Sequence, residues 1–433
     1  MRRILFAFLV SGFLCPLALF AQNLDWKVAS SYTKKPTKER LQNRLQSYVK
    51  QETDTPANQI KFSKNLVKEL RQYGFSATQE KNGLVWVEIP SNVKANIPEV
   101  VFVAGTQAAA VKVIAQLHEN YKGGEVTIQA SPRVALDTYN APQLVHAYGH
   151  SLITASGKTA FGADTKSGVA VAMHLAEFLD AHPAVSHGPI TLAFVTGEES
   201  MQALSARKKD VSYVYVLDGT ALGEITDQTF STRSFHITFE GNRQVPLGNA
   251  MNSNFVDNLL IASDFHSLLP RANRPETTSG LRGFIYVSQI AHAENKTEIE
   301  GIVSAFSKEE MEQLTAEVSR AFTTVKSMYN KAQNFTLTWK DGSQNKKEFL
   351  SATSTLLAEK AAQEEEITPK YVAARTQTVS ALLAANGLPA PSLFTGHYND
   401  NTPLEYVDVD EMEASFRTAM RILSLLTVQE MSK

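Results

Sequence analysis

The stretch Ile190-Thr191-Leu192-Ala193-Phe194-Val195-Thr196-Gly197-Glu198-Glu199-Ser200 is a nearly unbroken apolar run that stops at Gly197 and delivers two carboxylates. A strand apolar on both faces belongs in a sheet covered on both sides. In open sheets of that kind, ligands gather where the strands end. Val100-Val101-Phe102-Val103 and Tyr213-Val214-Tyr215-Val216-Leu217 repeat the pattern, and Leu84-Val85-Trp86-Val87-Glu88-Ile89 alternates as a half-covered strand does. Between them, Val169, Met173, Ala176 and Leu179 fall at helical spacing within 167–182. Strands alternating with helices predict an α/β layer fold.

Outward from this centre, residues 37–73 read as helix, with Leu41, Leu45, Tyr48 and Val49, then Phe62, Leu66 and Leu70, broken at Asp54-Thr55-Pro56 and stopped by Gly74. After about residue 228 the pattern changes. A strand at 235–239, a helix near 252–268, strands at 283–287 and 298–303 and a long helix at 307–330 make a β-α-β-β-α order that suits a small two-layer α+β unit. Residues 350–386 and 411–428 return to helix around a loop-rich segment, and Glu364-Glu365-Glu366 reads as a solvated helix face. A chain of 433 residues exceeds what one core usually supports. The predicted division is a signal peptide at 1–21, a first part of the α/β domain at 22–228, an inserted unit at 229–335, and a second α/β part at 336–433.

Met1-Arg2-Arg3, an apolar run from Ile4 to Phe20 and then Ala21-Gln22-Asn23 form a secretory signal, so the chain is expected to be exported to the periplasm or the medium. The sole cysteine, Cys15, lies inside it, with the bulky Leu14 where a lipid-anchor signal prefers a small residue. The mature chain then offers no thiol for a disulfide, a nucleophile or a metal. With 42 basic and 44 acidic residues, the composition lacks the basic excess of a nucleic-acid binder. No membrane segment is expected beyond the signal.

Four loops follow the apolar strands: Ala104-Gly105-Thr106, Gly162-Ala163-Asp164-Thr165-Lys166-Ser167-Gly168, Thr196-Gly197-Glu198-Glu199-Ser200 and Leu217-Asp218-Gly219-Thr220. Carboxylates so placed serve a pair of divalent cations, one bridging, one private to each ion, one left as base. They serve equally as helix and turn caps, Asp164 and Asp218, and as surface charges, Glu198 and Glu199. Spacing alone leaves both readings open.

The segment from Leu152 to Gly168 resembles the peptidase T stretch around G-A-D-D-K-A-G. Thr196-Gly197-Glu198-Glu199 sits where that family has P-D-E-E, and Val216-Leu217-Asp218-Gly219 with Gly223-Glu224 is similar to its T-V-D-G-G-x-x-G-E. Arg375 to Pro391 follows its R-G-G-T-D-G…G-L-P-T-P run, and Phe394-Thr395-Gly396 continues the match, which extends from about 38 to 425. The resemblance implies a two-zinc aminotripeptidase fold: a three-layer catalytic domain with an inserted lid or dimerisation domain. It implies Asp164 bridging two zinc ions, Glu199 and Asp218 each holding one, Glu198 as general base, Arg375 contacting substrate, and short peptides as ligands.

The departures from that pattern concentrate at the metal centre. The family's H-x-D-T is Val103-Ala104-Gly105-Thr106 here, which removes a zinc imidazole and the carboxylate that orients it. The His of G-K-H-E-F is Leu404, a substrate-contacting His of the lid is Val245, T-D-G is Thr378-Val379-Ser380, and I-I-R-D-F is Ile302-Val303-Ser304-Ala305-Phe306. Catalytic zinc takes about three protein ligands and a water. A carboxylate remnant suits Mg²⁺, Mn²⁺ or Ca²⁺ better than Zn²⁺. His397, in Gly396-His397-Tyr398-Asn399-Asp400, reads either as a solvated loop histidine or as a substitute ligand; His146, His150 and His174 read as structural. Two functions therefore stand: a degenerate peptidase with weak or absent activity that still binds peptides, or an active aminotripeptidase with a rebuilt centre. A third is a homodimer scaffold using the lid.

Overall fold

The computed structural model describes residues 37–107, 113–130, 133–240, 257–293, 296–329, 334–375 and 378–433. The signal segment with Cys15, and Val245, lie outside the described residues.

Among the described residues, eight strands form the main sheet in the order Thr78–Gln79, Val85–Ile89, Ile190–Val195, Val100–Gly105, Tyr213–Gly219, Ser392–Phe394, Glu224–Thr229, Lys370–Ala374. Val100–Gly105 runs parallel to both neighbours, at the sheet's centre. Its side chains alternate between two cores. Phe102 and Ala104 join the layer built with the helices Thr37–Val49, Ala163–Ala181 and Val409–Met431, whereas Val101 and Val103 join the layer built with Glu198–Lys208 and Val379–Ala385. Both faces are covered, which is why these strands carry no polar stripe. The helix Ala163–Ala181 lies so close to the sheet that a Cβ on Gly168 would stand 1.9 Å from the Leu217 carbonyl oxygen. Only glycine allows that approach.

The smaller unit is a four-stranded antiparallel sheet in the order Phe284–Ala293, Lys296–Ala305, Ser231–Glu240, Asn334–Asp341, with the helices Asn258–Leu268 and Lys308–Met328 against one face. Phe235, Phe239, Phe265, Ile299, Val303 and Val318 are buried between the two layers. It has a core separate from that of the main sheet. This is the α/β architecture with an inserted two-layer α+β unit that the sequence predicts. A further four-stranded sheet, His397–Tyr398, Tyr406–Asp408, Leu152–Thr154 and Gln116–His118, flanks the strand ends.

The inserted unit runs past its expected end at 335, because the strand Asn334–Asp341 pairs with Ser231–Glu240, and three expectations about single elements are corrected. Residues 350–386 are not continuous helix: the helix Ala352–Glu364 ends, Lys370–Ala374 pairs as a strand with Glu224–Thr229, and a short helix Val379–Ala385 follows. Pro369 lacks a donor and biases its predecessor to extended geometry, which separates the segments. The helix with Asp164 begins at Ala163, four residues before the predicted start. Glu365 is not solvated; its side chain, 5% exposed, pairs at 2.8 Å with an equally buried Arg421. That pair ties Ala352–Glu364 to Val409–Met431.

Candidate metal centre

Asp164 stands in the first turn of Ala163–Ala181, and the turn is held by a carboxylate far away in sequence. Glu405 accepts the backbone N–H groups of Phe161 (2.7 Å), Gly162 (3.0 Å), Ala163 (2.7 Å) and Asp164 (3.2 Å). A helix start leaves such donors unpaired and favours negative charge. Burial, then the neighbouring Asp164 charge, push the Glu405 carboxyl up to about 7 against the pull of those donors. Asp164 is itself raised, first by burial, with His397 and a hydrogen bond from Asn401 opposing. Its Oδ1 is shielded from solvent and has no partner.

Asp218 ends the strand Tyr213–Gly219. Its Oδ2 accepts the Ser380 N–H at 3.1 Å, while its Oδ1 is also buried without a partner. His397 is 2% exposed, so it is not a solvated loop residue. Its Nδ1 meets Thr395 Oγ1 at 2.8 Å and its Nε2 faces Asp400 at 3.3 Å. Burial disfavours the imidazolium, yet the Asp400 hydrogen bond and the charges of Asp400, Asp164 and Glu405 leave it above its ordinary pKa. Asp164, Asp218, His397 and Asp400 line one pocket of about 300 Å³ with Val379 and Leu382.

Other predicted site residues lie elsewhere. Glu198 and Glu199 are exposed in the first turn of Glu198–Lys208 and do not line this pocket; Glu198 accepts a long 3.4 Å contact from the Gln202 amide one turn on. Arg375 donates to the carbonyl oxygens of Thr278, Gly280 and Arg282 in the smaller unit and stacks on Phe230 and Phe284, away from the pocket lining. Val103 is wholly buried among aliphatic side chains. A Cβ on Gly105 would lie 2.8 Å from Val379 Cγ2, so valine occupies the space where the resemblance implies an orienting carboxylate. Leu404 is half-buried against the apolar cluster that includes Leu136, Leu144, Tyr398 and Tyr406.

His174 is a packed histidine, bonded to Glu177 and set against Phe416. His150 meets Asp408 Oδ2 at 2.7 Å. Among the described residues, His150, Asp408 and Asp410 are the one group of three His, Cys, Asp or Glu side chains with ligand atoms within 4.8 Å of one another. Asp408 caps the helix Val409–Met431 and Asp410 bonds Lys38 and the Ser151 N–H, so both are already engaged. Sequence reasoning missed Lys346, which is wholly buried behind Asp218; in the polar run Asn345-Lys346-Lys347-Glu348 nothing marks it.

No protein-family model matches the chain. Peptidase T of Bacillus pumilus is 30% identical over 409 residues, covering 90% of this chain and 98% of that protein. Peptidase T of Bacillus subtilis is 29% identical, covering 90% of this chain and all of that one. Among solved structures, the aminopeptidase PepT of Bacillus cereus superposes with a TM-score of 0.69 at 16% identity, over 90% of this chain and 98% of its own. A dinuclear metal-binding peptidase of the M20 family from Bacillus subtilis superposes with a TM-score of 0.58 at 13% identity, over 90% of this chain and 98% of its own.

Proposed function

Because the chain belongs to the peptidase T family, we propose that it is an exported peptidase T-like protein whose pocket binds short peptides and whose tripeptide hydrolysis is weak or absent. The metallopeptidase fold is present, and two partnerless carboxylate oxygens, Asp164 Oδ1 and Asp218 Oδ1, would accept a cation. The remaining donors do not fit a pair of zinc ions. Each ion would lack its imidazole, the strand end that supplies one in the family is occupied by buried Val103, and Glu199 faces solvent. The observation that carries the reading is Val379 pressed against Gly105, because it fills the space an imidazole-orienting carboxylate would need. Donors so arranged support no hydrolytic step through zinc.

The second reading, an active peptidase with a rebuilt centre, is favoured by one fact: His397 shares the pocket with Asp164 and Asp218. Tripeptide cleavage by the purified mature chain decides between them. The expected result is turnover at the level of a blank, unchanged by chelator. Turnover that chelator and Glu198→Gln both abolish would establish the rebuilt enzyme and overturn the proposal. Export is supported by the Met1–Ala21 pattern and is tested by the mass of the secreted chain, expected to begin at Gln22.

A further inference from the structure

The strand Asn334–Asp341 leaves the smaller unit and turns into a short helical turn at Lys346–Glu348, and this turn delivers an ammonium into the main core. Lys346 is 0% exposed. Its backbone is clamped, with the N–H bonded to Thr229 Oγ1 at 3.2 Å, and the preceding Asn345 bonds the Thr229 N–H through its side chain. The Nζ donates to Ser380 Oγ at 2.5 Å and to the Ala390 carbonyl at 3.2 Å. Ser380 in turn gives its backbone N–H to Asp218 Oδ2 at 3.1 Å. One residue thus joins a buried amine to a pocket carboxylate. Ser380 stands where the family pattern has glycine, so its hydroxyl is a departure from that pattern, as Val379 is.

A buried ammonium is costly unless it is hydrogen-bonded and paired with opposite charge. The partners are at hand: Asp218 and Asp227 both act on Lys346 to keep it charged, against burial that pulls it down to about 8. The reverse holds for the pocket. Asp218 has a buried oxygen without a hydrogen-bond partner, and a charge in that position needs a cation close by. We propose that Lys346 is a positioning residue that supplies the resident positive charge of this pocket, compensating Asp218 through Ser380 so that the site stands without a divalent cation. The inference rests on the reading of a degenerate centre and explains how carboxylates survive there. An amine in the protein wall also repels an incoming dication, so the same residue lowers the pocket's affinity for metal.

The test is Mn²⁺ titration followed by electron paramagnetic resonance, with thermal melts, on the full mature chain and four variants: Lys346→Met, Asp218→Asn, Lys346→Met with Asp218→Asn and Lys346→Met with Asp227→Asn. Lys346→Met is expected to bind Mn²⁺ about tenfold or more tightly than the parent, a gain of about 1.4 kcal/mol or more, and to lose that gain when Asp218→Asn is added. Its melting temperature is expected to fall, and to recover in the double variant but not on adding Asp227→Asn. A fall in melting temperature with no gain in Mn²⁺ binding and no recovery by Asp218→Asn would show that the amine only fills space, and would overturn the inference. Recovery by Asp227→Asn alone would overturn it too. If Lys346→Met does not fold, Lys346→Gln removes the charge while keeping donors for Ser380 and Ala390, with the same expectations. Metal-dependent tripeptide cleavage by the parent would sink the degenerate reading, an outcome separate from these.

Discussion

At Gly105 the packing leaves no room for a side chain without movement of Val379. Gly105→Asp, which adds the carboxylate that the resemblance implies there, places a Cβ 2.8 Å from Val379 Cγ2 and 3.4 Å from Thr165 Cγ2. Overpacking of that kind typically costs about 1–3 kcal/mol. The expected outcome is a lower unfolding midpoint in urea, with part of the loss recovered by adding Val379→Ala; an unchanged midpoint would mean that Val379 moves aside freely. Glu411 gives a prediction in pH. Burial, then the Asp408 charge, raise its carboxyl from 4.5 to about 7, and its Oε2 accepts the Tyr398 hydroxyl and the Leu222 N–H. Between those values the folded chain holds a proton that the unfolded chain has released, so stability falls as pH rises through the window. Glu405, also near 7, acts with the same sign. Glu411→Gln keeps an acceptor and removes the ionisation. Its loss of stability between pH 5 and pH 8 is expected to be smaller than the parent's by about 1–3 kcal/mol, and equal losses would contradict the shift. Little of this was legible from sequence: a histidine among Gly396, Asn399 and Asp400 looks solvated, yet His397 is buried because its strand pairs with Tyr406–Asp408.

Between elements, the sequence was most legible where a strand is apolar on both faces, as at Val100–Gly105 and Ile190–Val195, because burial on two sides leaves one composition. It was least legible where pairing is non-local. Lys370–Ala374 has two exposed residues at its start and is a strand because Glu224–Thr229 lies beside it. Asn334–Asp341 does carry a signal, with Phe335, Leu337 and Trp339 alternating in the sequence, but the signal is short and adjoins a long helical pattern that dominates the region. Arg375 acts at this scale. Its guanidinium bridges the carbonyl oxygens of 278–282 and two aromatic rings, Phe230 and Phe284, next to the main sheet's edge strand. Arg375→Ala is expected to raise hydrogen exchange selectively across 278–284 and to cost about 1–3 kcal/mol, since hydrogen bonds from a charged donor and the cation–π contacts are lost together. Exchange that rises evenly over both cores, or not at all, would contradict this latch.

Across the whole molecule, the cores on the two faces of the main sheet and a flanking sheet place Asp164, Asp218 and His397 around one pocket while Glu198 and Glu199 stay on the surface. The chain has the peptidase T fold, and the positions that the resemblance marks as departures lie in packed places: Val103 and Val379 in one core of the main sheet and Leu404 against the cluster that holds Tyr398 and Tyr406. Motif order made the family legible; the surroundings of the pocket were not, because the burial of Lys346 and His397 depends on contacts between distant segments. Among the described residues no helix is long and apolar enough to cross a membrane. The most direct measurement is anomalous X-ray scattering at the zinc edge from crystals of the mature chain grown with zinc. The account expects no stoichiometric zinc between Asp164 and Asp218. Two full-occupancy zinc peaks bridged by Asp164, with His397 closing one coordination sphere, would contradict it.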